Sequence, residues 1–331
     1  MIISRTPFRI SFFGGGTDYP AWYNENEGAV LSTTIDKYCY ISLRYLPPFF
    51  EHKHRIVYSK IENVQYVSEI QHPAARALLE FCDIDKGIEI HHDGDLPARS
   101  GLGSSSSFVV GLLHSLYALR GMMVSKHRLA KEAVHIERDV LKENVGFQDQ
   151  VAVACGGFNK IVFNKNDQFR VEPVTIKKEK LIQLENHLML IFTGLSRVAS
   201  DIAEEQIKNT PKKEKELKFI QQMVNEAIIV LNEDKDISEF GQMLHEVWKF
   251  KKTLSSKISN SAIDNIYDVA LSSGALGGKL LGAGGGGFML LFVPPDRKQN
   301  VKEKLKNLLE VQFCFENEGS QIIHYTTPDI K

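Results

Sequence analysis

A chain of 331 residues with 40 Lys plus Arg against 41 Asp plus Glu has a formal net charge of -1, so the totals lack the positive excess that nucleic-acid binders use for counter-ion release. Hydrophobic residues make up 43% and charged residues 24%, the balance of a soluble globular protein of roughly two domains rather than a disordered one. Cys39, Cys82, Cys155 and Cys314 stand far apart with no C-x-x-C pair, which excludes a zinc ribbon and a disulfide-stapled secreted fold and points to the cytoplasm.

In chain order, Arg5 and Arg9 interrupt any apolar signal segment. Tyr38 to Tyr45 alternates as a half-buried strand, and Gly87 to His91 is a shorter one. Between them Pro73 opens a helix through Phe81. The uncharged run Ser100 to Leu119 carries too many serines to enter lipid, so no membrane segment is expected; a helix is predicted over Phe108 to Leu119. Ser125 caps a helix running to about Lys142, with Leu129, Ala133, Ile136 and Val140 at helical spacing. Phe158 to Phe163 and Phe169 to Val174 form a hairpin, and His187 to Phe192 a strand. Four helical patterns follow, Ala199 to Lys208, Lys213 to Leu231, Ile237 to Leu254 and Ala262 to Leu271. The tail reads as a strand at Phe288 to Val293, a helix at Lys302 to Leu309 and a strand at Gln321 to Tyr325. The composition shift places a boundary near 185, giving domains 1–185, with a phosphate loop, and 186–331, with a glycine-rich loop at 282–287.

Three segments carry chemistry. Asp95-Leu-Pro-Ala-Arg-Ser-Gly-Leu-Gly-Ser-Ser-Ser-Ser107 sets a glycine and serine loop at a helix start, where unpaired N–H groups and the helix dipole suit a phosphate. Its hydroxyls add donors and can ligate magnesium. Leu280-Leu-Gly-Ala-Gly-Gly-Gly-Gly-Phe288 contains a literal G-x-G-x-x-G, but a strand follows it where a dinucleotide fold requires a helix. It therefore reads as a tight loop whose backbone approaches another segment or a ligand closely. In Pro7-Phe-Arg-Ile-Ser-Phe-Phe-Gly-Gly-Gly-Thr-Asp-Tyr-Pro20, Arg9 can clamp phosphate and Asp18 can accept from a hydroxyl; read alone, the pair is a surface arginine and a turn aspartate.

Together, the order Arg-x-x-x-x-Gly-x-x-Thr-Asp-Tyr, Pro-x-x-x-Gly-Leu-Gly-Ser-Ser and Gly-Ala-Gly-Gly-Gly-Gly resembles the GHMP kinases over nearly the whole chain. Phe-Phe-Gly-Gly-Gly-Thr-Asp-Tyr-Pro, Thr34-Ile-Asp-Lys-Tyr38, Ile136-Glu-Arg-Asp139 and Val145-Gly-Phe-Gln-Asp-Gln150 are similar to the branch that phosphorylates D-glycero-D-manno-heptose 7-phosphate at C1. The resemblance implies an α+β fold in two domains, an N-terminal one like ribosomal protein S5 domain 2 and a ferredoxin-like C-terminal one, with ATP and acceptor between them.

It also implies the roles. Ser100, Gly101, Leu102, Gly103, Ser104, Ser105, Ser106 and Ser107 hold the ATP phosphates, with Gly284 and Gly285 beside them. Ser105, or alternatively Ser104, and Glu137 ligate Mg2+. Asp149 takes the proton from the anomeric hydroxyl while Arg9 stabilises the transferring phosphoryl group. Gly16, Thr17 and Asp18 hold the sugar. Gly-Gly-Gly at 14–16 departs from the Gly-Glu-His usual in galactokinases and leaves room for a bulkier acceptor. Arg197, with Lys37 or Arg99, is the cation expected for a second phosphate. The expected partners are ATP and a small sugar phosphate; the alternatives are another sugar, such as fucose or galactose, or a non-catalytic sugar and nucleotide sensor.

Overall fold

The computed structural model describes residues 1–98, 100–195 and 199–326. Two long strands organise the first sheet: β1 (Ile2–Phe13) runs antiparallel to β2 (Gly28–Tyr45). Ile2, Phe8, Ile10, Phe12 and Phe13 are all buried, the β-branched and aromatic content that fits a covered pleated surface. A short helical turn between the strands, α1 (Pro20–Tyr23), tucks Trp22 and Tyr23 into the core. The hairpin of β3 (His54–Val57) and β4 (Ile61–Val64) joins β5 (Ile88–Gly94), which pairs with the second half of β2. The first half of β2 pairs with β6 (Asn159–Asn164), and β6 with β7 (Gln168–Pro173).

Helices α3 (Ser104–Leu119) and α5 (Gln148–Cys155) pack on this sheet, with α2 (Pro73–Phe81) against α3 and α4 (Lys126–Val134) against α3 and α5. Almost every residue of α3 from Ser106 onward is buried, as expected of a helix apolar all round and enclosed by its neighbours. The Ser4 hydroxyl donates to the Gly111 carbonyl at 2.9 Å, so α3 lies directly on β1. The helix begins at Ser104 rather than Phe108, which makes the serines its first turn instead of a loop before it.

After α6 (Lys178–His187), the second sheet is antiparallel in the order β11-β8-β10-β9, from β8 (Leu188–Phe192), β9 (Gly277–Leu280), β10 (Phe288–Phe292) and β11 (Leu309–Val311). Its helices are α7 (Ala199–Asn209), α8 (Glu214–Asn232), α9 (Ser238–Lys252), α10 (Ser261–Ser272) and α11 (Lys298–Lys304). Phe240 on α9 meets the Phe12 and Phe13 rings edge-on, with centroids at 5.4 and 5.0 Å, so the two halves meet at the end of β1.

Three sequence expectations change. The helix expected over Lys302 to Leu309 ends at Lys304, and Leu309 opens β11, because pairing with β8 overrides helical spacing. The helix expected to reach Lys142 is α-helical only to Val134 and continues as a π-turn, His135–Val140. The boundary at 185 does not divide the sheets, since β12 (Phe315–Glu316) and β13 (Gln321–Tyr325) return to pair with β2 and β1.

Candidate active site

The site grows from Arg9 on β1. This side chain is buried, with 2% of its surface exposed, and a charge so placed needs partners. Its Nε and Nη2 donate to the two Asp149 carboxylate oxygens at 2.8 Å each, and its Nη1 donates to the Gly101 carbonyl at 2.8 Å. The Arg9 backbone N–H donates to the Leu102 carbonyl at 3.0 Å. One residue therefore fixes β1, the 100–103 loop and the first turn of α5, where Asp149 sits. The fork geometry suits a planar carboxylate and equally a phosphoryl oxygen. Gly103, the residue before α3, could not carry a side chain without pressing Arg9, as a Cβ there would lie 3.3 Å from Arg9 Cγ.

Among the described residues no side chain caps the N-terminus of α3, so its positive end faces the loop. The buried Ser100 Oγ has no hydrogen-bond partner among the described residues. An anion at this helix end would use both features. Ser107 belongs elsewhere: its hydroxyl donates to the Pro7 carbonyl at 2.9 Å, bracing α3 on β1 rather than facing a phosphate.

Glu137 enters from the π-turn, a device that re-aims side chains and recurs at functional sites. The residue is fully buried. It accepts from the Ser105 hydroxyl at 3.1 Å, from the Ser106 hydroxyl at 2.8 Å and from the Gln150 amide. Burial pushes its carboxyl up to about 7 against the pull of the Gln150 and Ser106 donors, with the charges of Glu143 and Asp149 adding to the rise. Ser106 is buried and Ser105 exposed, so of the two hydroxyls bonded to Glu137, Ser105 is the one able to turn to a ligand. No group of three or more His, Cys, Asp or Glu fit to hold a metal exists among the described residues. One carboxylate and a hydroxyl beside a phosphate loop suit magnesium, which takes few protein ligands and completes its shell with phosphate oxygens and water.

Asp18, also 2% exposed, accepts from the Gly16 N–H at 2.9 Å and from the Gln148 amide at 3.0 Å. Burial raises its carboxyl, against those two donors, and the nearby Asp149 charge adds to the rise. The Phe147 N–H donates to the Asp18 carbonyl at 3.2 Å, which sets the 14–18 turn beside Asp149. Thr17, expected on the sugar, spends its side chain within the turn. Its side chain is fully buried, donates to the Gly14 carbonyl at 2.8 Å and accepts the Ala29 N–H at 3.0 Å, so it holds the turn. Gly16 is closed over by buried Gln206 of α7, a residue that local sequence patterns do not single out.

Lys279 on β9 was also not foreseen. It is buried, and its ammonium donates to the Ser11 and Phe12 carbonyls at 2.8 Å each, stitching the second sheet to the end of β1. Burial, then the Arg9 charge, pushes its amine down to about 7, while Asp18 pulls the other way.

The glycine run approaches protein backbone closely. Gly285 N–H donates to the Ile258 carbonyl at 2.8 Å, and a Cβ on Gly284 would lie 2.6 Å from Ile258 Cα. Gly284 and Gly285, expected beside ATP, shape the loop by packing on Ile258. Gly287 has φ +96° and lies against Ser100, whose carbonyl also accepts the Phe288 N–H at 3.1 Å. This contact clamps the phosphate loop. Gly287→Ala puts a methyl 2.2 Å from the Ser100 carbonyl oxygen in a strained backbone region. We expect it to cost more than about 2 kcal/mol in urea unfolding and to raise the KM for ATP at least about tenfold. A wild-type KM for ATP would deny the clamp any part in binding.

Residues 65–157 match the family model of the GHMP kinases N terminal domain, and 225–311 that of the GHMP kinases C terminal. The chain is 33% identical to D-glycero-alpha-D-manno-heptose 7-phosphate kinase of Campylobacter jejuni, over 96% of this chain and 97% of that one. The chain belongs to the GHMP kinases. As a GHMP kinase it has the two-domain fold of that family and uses ATP as phosphoryl donor. A galactokinase of Pyrococcus furiosus is 26% identical over 92% of each chain. A crystal structure of a D-glycero-D-manno-heptose 1-phosphate kinase from Bacteroides thetaiotaomicron superposes with a TM-score of 0.81 at 25% identity, over 99% of this chain and 100% of that one.

In this GHMP kinase, Arg9, Asp149, Asp18, Glu137 and the 100–106 loop converge, and the Thr17 and Ser107 hydroxyls and the Gly284 and Gly285 backbone make contacts within the surrounding frame. Arg197 and Arg99 lie outside the described residues. Lys37 is paired with Asp36 at 3.0 Å. Among the described residues no helix is long and apolar enough to cross a membrane.

Proposed function

We propose that this kinase phosphorylates the anomeric C1 hydroxyl of D-glycero-D-manno-heptose 7-phosphate, giving the 1,7-bisphosphate used to make nucleotide-activated heptose. The Arg9–Asp149 ion pair, set between the α3 phosphate loop and the buried Asp18 turn, carries the reading. The Campylobacter relative's named substrate supports the choice of acceptor. The absence of the galactokinase Gly-Glu-His at 14–16 argues against galactose.

The C1 oxygen attacks the γ-phosphorus of ATP in line as the bond to the β–γ bridging oxygen breaks and ADP leaves. The hydroxyl proton passes to Asp149, whose oxygens each keep a lone pair beyond the one facing Arg9. Arg9 stabilises charge on the moving phosphoryl group. Glu137 and the Ser105 hydroxyl would hold Mg2+, which neutralises charge on the ATP phosphates. Asp18 orients sugar hydroxyls, and Arg197 is assigned the 7-phosphate.

ADP release with ATP and Mg2+ over a panel of D-glycero-D-manno-heptose 7-phosphate, the unphosphorylated heptose, galactose and fucose tests this. We expect kcat/KM for the 7-phosphate to exceed that for the other sugars by about 10²-fold or more. Preference for an unphosphorylated sugar would overturn the heptose 7-phosphate assignment, and silence on every sugar would favour the sensor.

A further inference from the structure

Beyond Asp18, two polar atoms on the segments that carry Arg9 and Asp149 have no hydrogen-bond partner among the described residues. Ser11 is 5% exposed and its Oγ is unsatisfied among the described residues, as is the buried Oε1 of Gln148. Unpaired buried polar atoms are uncommon in native folds and ask for an explanation. The two side chains flank one spot: a methyl placed on Gly15 would sit 4.0 Å from Ser11 Oγ and 3.9 Å from Nε2 of the same Gln148 amide. Ser11 lies two residues beyond Arg9 on β1, and therefore on the same face of the strand. Gln148 precedes Asp149, and its amide N–H is committed to the Asp18 carboxylate.

Both groups are also held in place. The Ser11 carbonyl is anchored by Lys279 at 2.8 Å, and the Gln148 amide by Asp18 at 3.0 Å. What remains is one hydroxyl able to donate or accept and one carbonyl oxygen able only to accept. We infer that Ser11 and Gln148 are specificity-determining residues that, with Asp18, read the hydroxyl adjacent to the reacting one on a polyhydroxylated acceptor. Gln148 Oε1 accepts a hydrogen bond from that hydroxyl, and the Ser11 hydroxyl donates one to its oxygen. This inference rests on the sugar kinase reading above.

A site built to bond a hydroxyl rejects the analogue that lacks it, because its own polar groups are left unpaired. The test takes whichever sugar the panel shows to be phosphorylated best, together with its 2-deoxy analogue, against wild type, Ser11→Ala and Gln148→Met. Wild type should lose at least about tenfold in kcat/KM on the deoxy sugar. Each variant should raise the KM for the parent sugar about tenfold, keep the KM for ATP, and shrink the deoxy penalty below about threefold. A purely structural role would lower both acceptors' kcat/KM alike and leave the deoxy penalty intact, which would overturn the inference. If a sugar is phosphorylated and both variants keep its wild-type KM, the inference falls while the kinase reading stands. If no sugar is phosphorylated, both fall.

Discussion

Asp149→Asn should lower kcat about 10³-fold while moving the KM for ATP less than about threefold, read by ADP release under saturating sugar and ATP. Two losses coincide. The amide is a poorer proton acceptor than the carboxylate, and its NH2 faces an Arg9 nitrogen that now donates to a carboxylate oxygen at 2.8 Å. Arg9→Lys separates them: it keeps the charge but loses the fork, so it should cost kcat about 10²-fold without removing the proton acceptor. If Asp149→Asn turned over within threefold of wild type, Asp149 would be only the tether of Arg9.

The second large effect lies at Glu137. Glu137→Gln should raise the Mg2+ concentration for half-maximal rate about 10²-fold, because the amide withdraws the anionic oxygen from a site with one carboxylate. The same variant should change the pH dependence of folding. The folded carboxyl titrates near 7, against an ordinary value of 4.5. Between those values the folded chain holds one proton more than the unfolded chain, so without metal wild-type stability falls as pH rises from about 4.5 to 7 and is then level. Glu137→Gln lacks this slope. Its stability relative to wild type should therefore improve by about 2 kcal/mol from pH 5 to pH 8, measured by urea unfolding in EDTA. A pH-independent difference would mean that the buried carboxyl is charged throughout.

Much of the candidate site is legible in the sequence because each member sits in a short contiguous motif. Arg9 and Asp18 belong to one strand and its turn, Ser100 to Ser106 to one helix start, and Asp149 to one helix start. What escaped depends on contacts between distant segments. Nothing beside Lys279 announces that its ammonium bonds carbonyls 268 and 267 residues away. The glycine run was readable as a place of close approach, yet only the fold reveals that Ile258 and Ser100 do the approaching. The π-turn around Glu137 was invisible for another reason. An amphipathic pattern tolerates one added residue over two turns, so Ile136 and Val140 fit an ordinary helix on paper. Thr17 and Ser107 are hydroxyls inside these motifs whose bonds go to the scaffold, which the motif alone does not reveal.

The return of the last strands has a consequence for how the protein is made. β12 and β13 complete the sheet that carries Arg9, and Ser320 bonds Thr6 at 2.8 Å and His114 at 3.0 Å. During synthesis, the open edge of β1 must wait until nearly the whole chain has left the ribosome, a long-range closure of the kind that slows folding and exposes a strand to wrong partners. A product that stops after β11 would contain every residue assigned to catalysis yet leave that edge unpaired. Such a fragment is a target for chaperones and proteases rather than a smaller enzyme.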